Sequence, residues 1–422
     1  MSVRSDETGP FGGRAATIAV VVAALGYLVD IYDLILFSVV RRPSLASLGI
    51  EEAAQLTVGL ALLRWQMIGM LVGGVLWGVL GDRRGRLSVL FGSILMYSLA
   101  NIANGLVREL AGATGVDVVT TYALLRFVAG VGLAGELGAG VTLVAELMPA
   151  KSRGYATTLI AGIGICGAIL AVLVSRVVEW NVAYFIGGAL GLVLLALRVG
   201  VLESGIFERV KASDVSRGDF LMLFRPLSRA RRYLAVVLCG VPIWFAIGIL
   251  VTGAPELGRD LGLTEQPNAG TAVLWAYVGL AVGDFGSGVL SQLIRSRKRA
   301  IFASLLLNAL AVAGYFTIGA SSVMAFYGCI FVLGVANGYW AVFVTVAAEK
   351  FGTNLRATAT TSAPNFVRGS LALVEPAFTA LSGPMGRPGA ALAVGVVVLV
   401  VAFVATALLD ETYGRDLDFV ES

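Results

Sequence analysis

Apolar runs of about 20 residues recur along the whole chain, each long enough to cross a hydrocarbon core of roughly 30 Å as a helix. In lipid every backbone N–H and C=O needs an internal partner, so such runs fold as helices packed side by side. A porin-like barrel would need alternating strands of about ten residues, and the sequence shows no such pattern. Hydrophobic residues make up 58% and charged residues 14% of the 422, with a mean hydropathy of +0.87. Soluble domains carry about 25% charged residues. The chain therefore reads as an all-α polytopic membrane protein with twelve transmembrane helices.

The runs fall at 15–40, 56–80, 87–107, 117–147, 155–178 and 182–202, then at 233–256, 271–294, 299–319, 322–348, 358–382 and 388–409. The only long polar connection is 203–232, which is rich in Arg, Lys, Asp and Glu and divides the chain six plus six. The expected organisation is a tail at 1–14, a six-helix bundle at 15–202, a central loop at 203–232, a second bundle at 233–409 and a tail at 410–422. With the first tail in the cytoplasm, about 21 Lys and Arg lie on the cytoplasmic side and about six outside: Arg41, Arg42, Arg108, Arg176, Arg259 and Arg387. That asymmetry puts both termini in the cytoplasm, and the short loops suit a prokaryotic inner membrane. It also accounts for the pI near 9.0 without a nucleic-acid partner. The expected partners are the bilayer and a small-molecule substrate, with the chain acting as a monomer.

The chain has no histidine, which excludes His-based catalysis and His-ligated zinc. Cys166, Cys239 and Cys329 sit in different runs and read as small packing residues rather than a disulfide set or metal cage. No nucleophile elbow or phosphate loop is present, so an enzyme is not expected. No cofactor is expected beyond a proton as coupling ion.

Two carboxylates, Asp30 and Asp33, stand halfway along the first run in Gly26-Tyr27-Leu28-Val29-Asp30-Ile31-Tyr32-Asp33. An ionised carboxylate at that depth is costly, and such residues usually face a cavity and serve transport or proton relay. At i and i+3 they share roughly one helix face. With a rise of 1.5 Å per residue, Asp33 and Arg126 of the fourth run both lie roughly 10–12 Å from the outer surface, a feasible pair. An adjacent arginine lowers a carboxylate's pKa and burial raises it, so a cavity that opens and closes can load and release a proton. A static ion pair is the competing reading. Arg64 in the second run lies at similar depth, where Asp33, Asp30 or substrate are all open as partners. Glu136 lies deeper, as a relay or a partner for loop arginines. Small residues let helices approach closely, and Gly130, Gly132, Gly135, Gly138 and Gly140 form such a face on the fourth run.

The loop after the second run reads Gly78-Val79-Leu80-Gly81-Asp82-Arg83-Arg84-Gly85-Arg86. It closely resembles the signature loop of the major facilitator superfamily, G-x-x-x-D-R-x-G-R, and departs only where Leu87 replaces a final Lys or Arg. The corresponding stretch of the second half, Gly288 to Lys298, looks like a decayed copy with Gln292 where the acid belongs. Arg126 to Glu136, then Glu146-Leu147-Met148-Pro149 and Arg153-Gly154, resemble the fourth helix of the sugar, phosphate and metabolite symporters of that superfamily. Leu202-Glu203-Ser204-Gly205-Ile206-Phe207 is similar to a weak form of their P-E-S-P-R sequence, and Asp30-x-Tyr32-Asp33 to the first-helix acids of metabolite–, monocarboxylate– and phosphate–proton symporters. Glu349-Lys350-Phe351-Gly352-Thr353 with Arg356 echoes the fourth-run exit. The resemblance implies two six-helix bundles rocking about a midplane site. It makes Asp33, Asp30, Arg126 and Glu136 the coupling residues. It makes Asp82 a latch, and Arg83, Arg86, Glu146, Arg153, Asp284, Glu349 and Arg356 are read beside it as gating candidates.

The eleventh run carries its own charge in Ala363-Pro364-Asn365-Phe366-Val367-Arg368-Gly369. Arg368 falls at the midplane, where its planar fork matches a carboxylate or phosphate. It is the candidate anchor for an anionic substrate; pairing with Glu375 or Asp284 is the alternative, and Asp284 could also be a second proton site. Asn365, Asn337, Tyr339 and Trp340, with Tyr27 and Tyr32, offer polar and aromatic lining, although most such aromatics are packing. The leading expectation is a proton-coupled symporter of a small, monocarboxylate-like anion working by alternating access. A sugar or polyol symporter, a phosphate symporter and a proton-antiport exporter stay open.

Overall fold

The computed structural model describes residues 14–84, 86–135, 150–203, 220–414 and 421. Helices follow the apolar runs. The first half holds α1 (Arg14–Ser47), α2 (Glu52–Arg84), α3 (Arg86–Gly105), the short α4 (Val107–Thr114), α5 (Val118–Leu133), α6 (Ala150–Val177) and α7 (Trp180–Glu203). The second holds α8 (Leu227–Phe245), continued by a wider π turn over Ala246–Val251, then α9 (Ala254–Asp260), α10 (Ala269–Leu293) and α11 (Arg297–Phe316). It closes with α12 (Val323–Asn337), α13 (Trp340–Lys350), α14 (Thr353–Gly369) and α15 (Leu371–Leu408). No strand occurs among the described residues. Within α15, Gly386 takes φ 68° and ψ 161°, a backbone turn open to glycine, and so separates the eleventh apolar run from the twelfth. The helices thus account for twelve runs in two six-helix bundles.

Polar residues mark where the runs begin. Asp117, Asn268, Ser296 and Ser322 each accept from the backbone amide three residues on, capping α5, α10, α11 and α12. Two boundaries differ from the sequence expectation. The seventh run begins at Leu227, not 233, because the arginines assigned to the loop find partners from within the helix. Arg229 donates to the Met222 carbonyl at 2.9 Å, and Arg232 to the Lys350 carbonyl at 3.0 Å and to Glu421 at 2.8 Å. The first run continues past 40 to Ser47, for a reason that emerges from Arg41 below.

Both bundles use the same close helix seam. A Cβ on Gly130 would stand 2.0 Å from the Gln66 carbonyl, so α5 touches α2 backbone to backbone. In the second half a Cβ on Gly334 would stand 2.2 Å from the Ala276 carbonyl, which places α12 on α10 in the same way. Without water to drive association, such close packing is what holds helices together in lipid.

The start of α8 and Glu421 share one end of the bundle, the near face; the α1–α2 and α9–α10 connections meet at the far face. Residues 29–41 of α1 and 239–258 of α8 and α9 are buried on all sides. Closer to the near face Val21 is 48% and Leu234 55% exposed. The two bundles are therefore pressed shut at the far face.

Candidate functional site

Asp33 is fully buried where α1 meets α7. Gly187 makes that fit possible: a Cβ there would lie 2.2 Å from Asp33 Oδ1 and 2.9 Å from the Tyr32 ring. The Tyr32 hydroxyl donates to the Ala183 carbonyl at 2.8 Å, so this ring is a strut between α1 and α7. Arg126 of α5 is also fully buried. It donates to Gln66 Oε1 and, at 3.3 Å, to the Tyr184 hydroxyl, and its guanidinium lies 4.7 Å from the Phe37 ring centre. Tyr184 shares a 2.9 Å hydrogen bond with Tyr122 and lies within electrostatic reach of both Asp33 and Arg126. The two charges chosen from depth thus meet around a tyrosine of α7. Gln66, Tyr184 and Gly187 were missed from sequence; a glutamine inside an apolar run was the available signal.

Arg368 is 4% exposed at the junction of the two bundles. Its guanidinium lies 5.4 Å from the Trp340 ring centre, and one nitrogen donates to Asn365 Oδ1 at 3.4 Å. Its Nε is buried with no hydrogen-bond partner. Tyr27, Asp30 and Tyr277 lie within its electrostatic reach, and Trp340 comes within hydrogen-bonding reach of Tyr27. Side chains of α1, α10, α13 and α14 therefore converge on one cation. Asn365 also ties the bundles together, since its amide donates to the Ala134 carbonyl at 3.1 Å.

Neither alternative carboxylate goes to Arg368. Glu375 pairs at 2.6 Å with Arg64 of the other bundle and accepts from Thr379 at 2.8 Å. Asp284 accepts from the Ala341 amide at 3.0 Å. Arg64 is accordingly a cross-bundle tie in this structure. Asn337 donates to the Leu333 carbonyl and accepts from Asn308, at 2.8 and 2.7 Å. Tyr339 is fully buried with its hydroxyl on the Cys239 carbonyl at 2.8 Å. Tyr339 therefore braces α13 against α8, whereas Asn337 braces α12 and also lines a small cavity with Tyr277 and Leu280.

At the far face the structure brings together residues that sequence reading used only for topology. Arg41, fully buried, reaches across the bundles to Glu256 at 2.6 Å and to the carbonyls of Gln55 and Thr252 at 3.1 Å each. Beside it the Thr252 hydroxyl donates to the Ile247 carbonyl at 2.8 Å and shares a 3.0 Å hydrogen bond with the Ser38 hydroxyl. Arg41 keeps α1 helical beyond 40 because the charge is paired, not hydrated. On the rim, Arg259 meets Glu52 at 2.9 Å.

At the near face, Glu349 pairs with Arg297 at 3.5 Å and accepts from Thr412 at 2.6 Å. The acid absent at Gln292 is supplied there by the tail. Glu411 accepts from the Ser296 hydroxyl and from the amides of Arg297 and Lys298, at the start of α11. Partial burial pushes the Glu411 carboxyl up, but Ser296 and the Tyr413, Arg297 and Thr412 amides outweigh it and hold the value at about 2. Being charged at any physiological pH, this contact is no pH sensor. Glu136 and Glu146 lie outside the described residues, as do the side chains of Asp82, Arg83, Arg86, Arg153 and Arg356.

The family model described as Major Facilitator Superfamily matches residues 15–374. The chain is 28% identical over 301 residues to the 3-(3-hydroxy-phenyl)propionate transporter of Escherichia coli, covering 69% of this chain and 70% of that one. It is 24% identical over 343 residues to the proline/betaine transporter of Salmonella typhimurium, covering 75% and 67%. Its fold is similar to that of a D-xylose–proton symporter, with a TM-score of 0.70 at 19% identity over 95% of this chain and 99% of the other. The relatives are transporters, not enzymes.

Proposed function

Because the chain belongs to the Major Facilitator Superfamily and is a multi-pass membrane transporter, we propose that it carries a small carboxylate together with a proton. The observation that supports this reading is Arg368: a guanidinium at the bundle junction, 4% exposed, with a buried Nε left without a partner. A carboxylate would give that fork two charge-assisted hydrogen bonds. The substrates named for the two relatives, a phenylpropionate and proline or betaine, have little in common except a carboxylate. Trp340, Tyr27 and Tyr277 around the guanidinium give the rest of the molecule apolar walls.

Substrate reaches Arg368 only when the bundles part, which is alternating access. Asp33 carries the proton, Asp30 assists between it and Arg368, and Arg126 with Tyr184 sets the affinity of Asp33 for the proton. In this reading the near face is cytoplasmic, which the Lys and Arg asymmetry supports, in a prokaryotic inner membrane. The chain works as a monomer with no cofactor beyond the coupling proton.

Uptake into proteoliposomes of a panel of aromatic and aliphatic carboxylates, sugars and phosphate tests the reading. Arg368→Gln loses the paired charge but keeps donors, and carboxylate uptake falls about 100-fold, since charge-assisted bonds contribute about 1.5–3 kcal/mol each. Carboxylate uptake unaffected by Arg368→Gln, or uptake confined to sugars, would overturn it.

A further inference from the structure

The tenth apolar run is interrupted: α12 stops at Asn337 and α13 restarts at Trp340. A break inside a membrane frees backbone groups that water cannot satisfy, so the surrounding protein must do so. One turn of α10 serves both sides of this break. Asp284 Oδ1 accepts from the Ala341 amide at 3.0 Å, at the start of α13. Three residues on, the Ser287 hydroxyl donates to the Gly338 carbonyl at 2.6 Å. Glycine permits the approach: a Cβ on Gly338 would lie 2.4 Å from the Asp284 amide, and one on Gly283 would lie 2.1 Å from the Val335 carbonyl. The first residue of the restarted helix is Trp340, the ring that carries Arg368.

We propose that Asp284 is a positioning residue, a clamp on the broken helix that fixes Trp340 and through it the orientation of Arg368 toward substrate. A carboxylate is a good acceptor at that place, because the start of a helix presents free N–H groups and partial positive charge. What the clamp needs is an acceptor oxygen in this position rather than a titrating group. Asparagine therefore replaces it and alanine does not. The inference rests on the reading of Arg368 and Trp340 as the substrate site, and its test has an arm that does not.

The first arm is hydrogen–deuterium exchange on the purified full-length protein without substrate. In Asp284→Ala the amides of 340–343 exchange at least about ten times faster, whereas in Asp284→Asn they stay within about twofold of the parent. Ser287→Ala, a milder change that leaves Asp284 in place, speeds the same segment by a few-fold. The second arm is counterflow of radiolabelled 3-(3-hydroxyphenyl)propionate. Asp284→Ala raises KM about tenfold with maximal rate within about twofold, and Asp284→Asn restores KM. Unchanged exchange in Asp284→Ala overturns the proposal. So does an Asp284→Asn variant as defective in counterflow as Asp284→Ala, which would make the charge, and hence proton binding, the role of Asp284. Should Arg368→Gln transport normally while Asp284→Ala loosens 340–343, the substrate-site reading falls and the clamp stands.

Discussion

Glu256→Gln opens the far face. The substitution leaves Arg41 charged, fully buried and facing a neutral amide. Removing one member of a buried ion pair costs about 3–5 kcal/mol, because the remaining charge stays without water or counter-charge. The cost falls on the closed arrangement alone, since parting the bundles hydrates Arg41. A penalty of about 3 kcal/mol shifts a two-state equilibrium by about 100-fold toward the open form. The readout is a single cysteine, Ser38→Cys, beside the pair and 2% exposed, in a background with Cys166, Cys239 and Cys329 replaced. Maleimide labelling of the purified protein is slow with Glu256 present and faster by one to two orders of magnitude with Glu256→Gln. The apolar pair Arg41→Met with Glu256→Leu restores slow labelling, because it removes both charges at once. Equal labelling in all three backgrounds would show that Arg41 and Glu256 do not control closure.

With Asp33 as the proposed proton carrier, Asp33→Asn separates movement of substrate from the use of a proton gradient. The side chain lies in the slot left by Gly187, and asparagine has the same shape, so the fold and the cross-bundle contacts survive. It cannot take up a proton. Accumulation driven by an imposed pH gradient falls by about 30-fold or more, while exchange of labelled for unlabelled substrate stays within about threefold. Tyr184→Phe keeps the ring but removes the hydroxyl that Arg126 reaches. It moves the pH profile of uptake without abolishing it. Accumulation retained in Asp33→Asn would assign the proton to another group, with Asp30 next in line.

The sequence was most legible where a residue's environment follows from its own neighbours along the chain. Apolar length marked out the helices, and clustered glycines marked Gly130 as a contact. Depth counting brought Asp33 and Arg126 to the same layer. Glu256 escaped because its partner Arg41 is 215 residues away, and in isolation it reads as a loop acid beside Pro255. The hint lay in Arg41 and Arg42, two adjacent cations on the side of the membrane where basic residues are scarce. Arg64 and Glu375 escaped for the same reason, being 311 residues apart. Tyr339 and Tyr32 read as polar, aromatic lining, yet each spends its hydroxyl on a backbone carbonyl of a neighbouring helix. A residue type does not tell a brace from a ligand; only its partners do.

The Gly130 and Gly334 seams have a mechanical consequence. Where backbone rests on backbone, any slide of even a methyl's width meets hard overlap, so each bundle resists shear and behaves as a stiff lever. Across the boundary between the bundles other glycines meet side chains instead: Asn365 over Gly74, Leu71 over Gly369, Val39 and Val172 over Gly270. Rotamers can yield there at little cost. Movement is thus confined to a single plane through the protein, where parting the bundles has to release the Asn365–Ala134, Arg64–Glu375 and Arg41–Glu256 contacts together.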